Sequence, residues 1–489
     1  MRNAEITPNP SFPGGGEPAG QLMDRLAAQL AAQQAANLAE GTPNRVLRRD
    51  RLGRIGAMVR ANRDAIITAI DEDFGGEFGG RAREETLLGE VFTTLSCIRH
   101  ARNNLGRWMR PRARSLDLAF KPARAKLMPQ PLGVVGVISP WNYPVFLALA
   151  PLVGAIAAGN RVMLKPSEVT PRTAALLAEL LAGHFSPEEI AVVQGGQNVG
   201  EAFSRLPFDH LLYTGSTHVG RKIMAAAAEN LTPVTLELGG KSPAVIAPDA
   251  NLAAAATSIV RGKLFNAGQT CVAPDYVLAP RHQVDGIAEL LVAKARQFYP
   301  VIEANSDYTA IVNQAQFDRL QAMRGEAESL GARLRTADKI DIGGRKMPLT
   351  ILLDTTAEMA VRGKEIFGPL LPIIPYDDIG AAITHVNGGP RPLALYVYGA
   401  DRGLINRVLE KTMSGGAVVN DCLIHAGVEE LPFGGVGASG MGHYHGREGF
   451  ETFSKLKPVM YQSRWNGLWL LNPPYGARAR GMINLLLNR

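Results

Sequence analysis

Gly133-Val134-Val135-Gly136-Val137-Ile138, then Val145 to Ala158, then Arg161-Val162-Met163-Leu164-Lys165 is the run that decides the fold class. A short, β-branched apolar run bounded by glycine reads as a buried strand. The apolar stretch after it is too long for a strand and reads as a helix, and a second buried strand follows it. Moving outward, Thr170 to Gly183 reads as a helix with Pro171 in its first turn. Ile190 to Gln194 and His210 to Tyr213 read as strands, about His218 to Glu229 as a helix, and Val234 to Glu237 as a strand. Such alternation predicts a parallel sheet covered on both faces, so the class is α/β. A second α/β segment runs from about Gly240 to Phe433, with strands at Ala244 to Ile246, Tyr276 to Leu278 and Leu393 to Tyr398. Residues 44–110 have apolar positions near helical spacing, and Pro111 to Pro131 reads as an extended arm broken by prolines.

The chain has 489 residues, enough for two or three domains that each bury a core. A hydrophobic share of 46% with 20% charged residues is that of a soluble globular protein. Three cysteines (Cys97, Cys271, Cys422) make no disulfide framework, which points to a reducing, cytoplasmic compartment. Met1 to Gly20 is rich in Pro and Gly and lacks the apolar core of a secretory signal. The apolar run Val145 to Gly159 is too short to span a bilayer. The formal charge is +7, concentrated in Arg102 to Lys126 and in a tail without Asp or Glu after Glu451. The patterns of RNA- and DNA-binding modules are missing, so a solvated face or a cleft attracting an anionic cofactor is the expectation, with no nucleic acid.

Several short motifs carry chemistry. Thr214-Gly215-Ser216-Thr217-His218-Val219-Gly220 follows a strand and opens a helix, where small residues and free N–H groups suit a pyrophosphate; an ordinary strand-to-helix turn reads equally well. Lys165-Pro166-Ser167-Glu168 ends a strand, and Glu168 with Lys165 suits ribose hydroxyls or, more plainly, a surface ion pair. Ser139-Pro140-Trp141-Asn142-Tyr143-Pro144 holds Asn142 in a stiff loop, as an oxyanion donor or as an Asx turn. Phe265-Asn266-Ala267-Gly268-Gln269-Thr270-Cys271 presents a thiol, and Leu236-Glu237-Leu238-Gly239-Gly240-Lys241 a carboxylate. Together these can form a thioester and hydrolyse it. Cys97 and Cys422 read as structural, and His443 with His445 lacks the further ligands of a metal site, so no metal is expected.

With Glu365-Ile366-Phe367-Gly368-Pro369 and Pro432-Phe433-Gly434-Gly435, these motifs occur in one order, and the set resembles the NAD(P)-dependent aldehyde dehydrogenase superfamily over about residues 40–460. Asn420 to His425 and Pro432 to Gly442 look like its class-three branch. Arg81 to Leu88, Ile98 to Arg102 and Gly442 to Glu448 resemble bacterial coniferyl aldehyde dehydrogenases.

The resemblance implies Cys271 as nucleophile, Asn142 with the Cys271 N–H as oxyanion donors, and Glu237 as the base for the hydrolytic water. It implies NAD, with NADP possible, held by Trp141, Lys165, Glu168, Gly215, Ser216, Gly220, Leu238, Glu365 and Phe367. Glu168 should repel the extra phosphate of NADP. The domain expectation is a disordered lead-in at 1–20 and a helical part of the cofactor domain at 21–110. A bridging or oligomerisation arm follows at 111–131, then a Rossmann-like domain at 132–239, a catalytic domain at 240–437 and a tail at 438–489 with dimer contacts. The implied partners are an aldehyde, aromatic or cinnamyl such as coniferyl aldehyde, and a second copy of the chain. Alternatives are a broad aliphatic aldehyde dehydrogenase, a CoA-acylating relative (usually without a carboxylate at Glu237) or a non-enzymatic binding protein. Attachment to a membrane through Trp465 to Arg489 is the weaker reading beside packing in a dimer.

Overall fold

The computed structural model describes residues 17–76, 79–339 and 343–487. Residues 1–16 of the expected lead-in lie outside them, and the first helix opens at Ala19.

In chain order the strands are β1 (Arg112–Arg114), β2 (Arg124–Pro131), β3 (Val134–Ile138), β4 (Arg161–Lys165), β5 (Ile190–Val192), β6 (His210–Gly215), β7 (Val234–Leu238) and β8 (Pro243–Ile246). They continue as β9 (Tyr276–Pro280), β10 (Arg333–Thr336), β11 (Thr350–Leu353), β12 (Leu370–Tyr376), β13 (Ala394–Tyr398), β14 (Gly416–Val419), β15 (Gly440–Met441) and β16 (Ser454–Tyr461). Three sheets result: β15-β7-β6-β3-β4-β5, β10-β11-β12-β9-β8-β13-β14, and β1-β2-β16. The first two are parallel except at β15 and β10, which pair antiparallel at the edges.

Every residue of β3 and β4 is buried, and so is every residue of the helix Phe146–Ala158 between them. This explains their continuous apolar runs, since helices cover both faces of the sheet. Gly159, at φ 97°, ends that helix in the left-handed conformation, and Arg161 begins β4. The chain leaves β3 toward β4 and β5, then returns to its other side at β6. The carboxyl ends of β3 and β6 therefore flank the point where strand order reverses, the crevice in which ligands collect in such sheets.

Two segments differ from their sequence reading. The Pro111 to Pro131 arm is mostly strand, with β2 paired along its full length to β16, from Ser454 opposite Pro131 to Tyr461 opposite Arg124. Prolines concealed it: Pro129 and Pro131 lie beyond the Ala125 to Leu127 stretch that β1 pairs, where β2 has one open edge and tolerates them. The expected tail from Ala438 is split: β15 joins the first sheet beside Glu237, and the helix Gly446–Thr452 packs on Phe146–Ala158. Gly-rich composition there serves close backbone approach to β7, not looseness: a Cβ at Gly440 would lie 2.1 Å from the Leu236 carbonyl oxygen.

Candidate active site

Cys271 follows a tight loop. Asn266, Ala267 and Gly268 hold φ values of 54°, 50° and 76°, a left-handed run that two L-residues enter only under constraint. The constraint is a set of buried hydrogen bonds. The Gln269 amide donates to the carbonyls of Asn266 (3.0 Å) and Ala310 (3.0 Å) and accepts from the Val312 N–H (2.9 Å). The Asn266 amide donates to the Asn142 and Gln269 carbonyls, and the Asn266 N–H donates to Glu85 at 2.9 Å.

The same network fixes the Asn142 loop. Arg81 and Glu90 form a wholly buried ion pair at 3.0 Å. Arg81 also donates to the Asn142 carbonyl (2.9 Å), and Glu90 accepts the Val145 and Phe146 N–H groups at the start of the Phe146–Ala158 helix. The Tyr143 and Thr270 hydroxyls meet at 2.8 Å, so the two loops are joined side chain to side chain. Asn142 is itself buried.

Glu237 reaches the same place from β7, where it pairs with Thr214 of β6 and Gly440 of β15. It is 3% exposed, and neither carboxyl oxygen has a hydrogen-bond partner among the described residues. Burial holds its pKa well above the usual carboxylate range. The Cys271 thiol is pushed up to about 12, chiefly by burial and then by Glu365 and Glu237, against the pull of the Cys271 and Val272 N–H groups.

Cys271 and Glu237 both line a cavity of about 320 Å³. Its walls are apolar and aromatic, among them Phe92, Tyr143, Phe146, Phe265, Phe433 and Tyr444. Leu238 lines it too, so this residue, expected on the cofactor side, also faces the cavity. Asn142 is not one of the lining residues; its backbone carbonyl is bonded to Asn266 of the thiol loop.

The remaining expected residues surround the crevice at the strand ends. Lys165 is buried at the end of β4 and donates to the half-exposed Glu168 at 2.5 Å. Ser216 caps the helix Thr217–Ala228, its hydroxyl accepting the Val219 N–H. A Cβ at Gly215 would sit 2.2 Å from the Tyr213 hydroxyl, and one at Gly220 would sit 2.6 Å from Leu238. Trp141 meets Phe367 edge-on with centroids 5.3 Å apart, and Phe367 holds φ 51°.

Glu365 lies against Gly239, where a Cβ would fall 1.9 Å from its carboxyl oxygen and displace that carboxyl group. Burial first and Asp275 second push Glu365 up to about 7. Lys241 bonds to Asp275 and to the Val361 and Lys364 carbonyls, while Asp275 accepts the Ile366 N–H, so Glu365 sits on a braced loop.

Sequence reasoning missed Arg81, Glu85, Glu90 and Gln269 as the frame of the site. Gln269 stands two residues before the thiol, and Arg81 and Glu85 lie in a stretch quoted above only for its resemblance. Gln269, between Gly268 and Thr270, and Glu90, between Gly89 and Val91, stand among small or apolar residues, which was the available signal; Glu85 lies in a charged run that gave none.

Known proteins resemble this chain in sequence and in fold. Residues 17–459 match the aldehyde dehydrogenase family. A Pseudomonas aeruginosa protein named "Probable coniferyl aldehyde dehydrogenase" is 48% identical over 96% of this chain and 98% of its own. The substrate-bound Staphylococcus aureus AldH structure has a TM-score of 0.89 at 34% identity, covering 94% of this chain and 99% of that one. A Mycobacterium tuberculosis aldehyde dehydrogenase complexed with NAD+ has a TM-score of 0.81 at 28% identity, covering 91% of each chain. Likeness of this extent, reached by sequence and by structure alike, means that the chain belongs to the aldehyde dehydrogenase family.

Proposed function

We propose that this enzyme oxidises an aromatic aldehyde of the cinnamyl type, such as coniferyl aldehyde, to its carboxylate with NAD. The observation that carries the reading is the cavity: aromatic walls around about 320 Å³, with one thiol and one carboxylate facing inward. The name borne by the Pseudomonas aeruginosa relative supports the substrate class.

In this reading the deprotonated Cys271 sulfur adds to the aldehyde carbon, and the carbonyl electron pair moves to oxygen. The Asn142 amide and the Cys271 N–H hold that oxyanion. NAD, when bound, supplies the acceptor for the hydride that leaves the carbon. Cys271 then carries the acyl group as a thioester. Glu237 takes a proton from water as the water oxygen attacks, the C–S bond breaks, and sulfur departs as thiolate.

The residues at the strand ends fit NAD. Ser139 and Thr214 carry buried hydroxyls there that have no partner among the described residues, and Gly215 is packed closely against the Tyr213 hydroxyl. Lys165 and Glu168 would hold the adenine-side ribose, and Gly215 and Ser216 the pyrophosphate, beside the Gly220–Leu238 packing. Trp141, Phe367 and Glu365 would hold the nicotinamide end. The carboxylate of Glu168 disfavours the extra phosphate of NADP.

A homodimer through the β1-β2-β16 sheet and the C-terminal residues is part of the same reading, supported by exposed Met460, Tyr461 and Trp465. The three unpaired cysteines support a cytoplasmic setting. Among the described residues no helix is long and apolar enough to cross a membrane.

A panel of coniferyl, benzyl and aliphatic aldehydes with NAD and with NADP tests the proposal. The expected outcome is the highest kcat/KM with coniferyl aldehyde and NAD. A medium-chain aliphatic aldehyde in first place would instead favour the broad-specificity reading, which the same apolar walls allow.

A further inference from the structure

Each aldehyde oxidised by hydrolysis releases protons, and Glu237, the group proposed to collect the one from water, is buried among apolar walls. A polar way out runs through those walls. Tyr444 lines the catalytic cavity and also a second, smaller cavity of about 10 Å³, near the minimum that holds a single water molecule. Glu429, His100 and Cys97 line that smaller cavity as well.

The Tyr444 hydroxyl, one Glu429 carboxyl oxygen and the Trp108 indole N–H, all from residues lining that cavity, are buried without a hydrogen-bond partner among the described residues. Three such groups around one water-sized space are where a bridging water belongs. Beyond Glu429 the path meets the surface: His100 lies 3.6 Å from the exposed Glu430. Gly446, at φ 53°, keeps this corner closed, since a Cβ there would lie 2.1 Å from the Glu429 carbonyl and 3.5 Å from the His100 ring nitrogen. The backbone around Tyr444 thus holds the two cavities against each other.

We infer that Tyr444, a water in the smaller cavity and Glu429 form an exit path that carries the hydrolytic proton from Glu237 toward His100 and solvent. The inference rests on the reading of Glu237 as base. Glu237 gives its proton, through water in the catalytic cavity, to the Tyr444 oxygen as the Tyr444 proton passes to the bridging water. That water passes one of its protons to the Glu429 carboxylate. One proton moves, and no bond to carbon changes.

The groups facing Glu429 are the Cys97 thiol, His100 and the Trp108 indole on the helix Thr93–Trp108, the Gly446 N–H, and Tyr444. Burial raises Glu429 to about 7, so it can take and release a proton near neutrality. Tyr444 senses Glu237, Cys271, Glu429 and Cys97, which sets it between the two ends.

The test uses full-length enzyme with Glu429→Gln and, in parallel, Glu429→Asp and Tyr444→Phe. Expected for Glu429→Gln is an unchanged NADH burst with kcat lowered about tenfold, below the ~100-fold floor for a group that itself moves the proton in the transition state. Imidazole buffer should restore turnover, kcat should become more sensitive to D2O, and Glu429→Asp should recover part of the loss. Normal kcat in folded Glu429→Gln, or a loss that buffer does not relieve, overturns the path. Should Glu429→Gln not fold, Tyr444→Phe decides by the same buffer response. Steady turnover retained in Glu237→Gln would instead sink the base assignment, a result separate from failure of the path.

Discussion

Cys271 and Glu237 react in their deprotonated forms, yet burial holds both protons beyond the ordinary range. The sign follows: deprotonation gains with rising pH, so turnover should climb above neutrality, by up to about tenfold per pH unit while one group limits. A kcat/KM profile from pH 6 to 10 checks this, and a profile falling across that range would contradict it. Glu237→Gln should keep the pre-steady-state burst and lower steady turnover about 100-fold, as loss of a general base does. Stopped-flow NADH absorbance reads both; disappearance of the burst would mean that Glu237 also serves the first half-reaction. These two residues were legible because small flexible neighbours mark them in the sequence. Their shifted protons were not, since burial comes from rings such as Phe433 and Tyr444, distant in the chain.

At the scale of elements, the thiol loop is held from outside. Gln269→Ala would leave the buried Val312 N–H and the Ala310 carbonyl unpaired, while the Asn266 carbonyl would keep the Gln269 backbone N–H. A cost of about 3 kcal/mol is expected, with activity lost beyond what stability explains, because two left-handed L-residues would then be unsupported. Urea unfolding together with burst amplitude measures this; wild-type stability and burst would refute the bracing role. The strands and helices around β3 and β4 were readable because both faces are buried and their apolar runs are unbroken. The β2–β16 ladder was not, since its residues are half exposed and prolines mask its pattern. Neither was β15, two residues whose strand character comes wholly from β7 beside them.

Across the whole molecule, the cavity gathers chain segments from Leu88 to His445, so it exists only when both large sheets are folded and apposed. A ligand of the folded state should therefore stabilise the whole fold. NAD at about 100 times its Kd should add roughly 2.7 kcal/mol. The thermal midpoint should rise clearly with NAD and less with NADP at equal concentration, and Glu168→Gln should narrow the gap. An equal rise with both would remove Glu168 as the discriminator. The sequence by itself determined the α/β class, the thiol, the carboxylate and the crevice motifs, because strand periodicity and turn residues are local properties of the chain. Only tertiary structure decided that Arg81, Glu85, Glu90 and Gln269 lock the Asn142 and Cys271 loops together, and that Tyr444 divides two cavities. Such contacts join residues far apart in the chain, and burial, which sets their strength and their protons, belongs to the folded molecule alone.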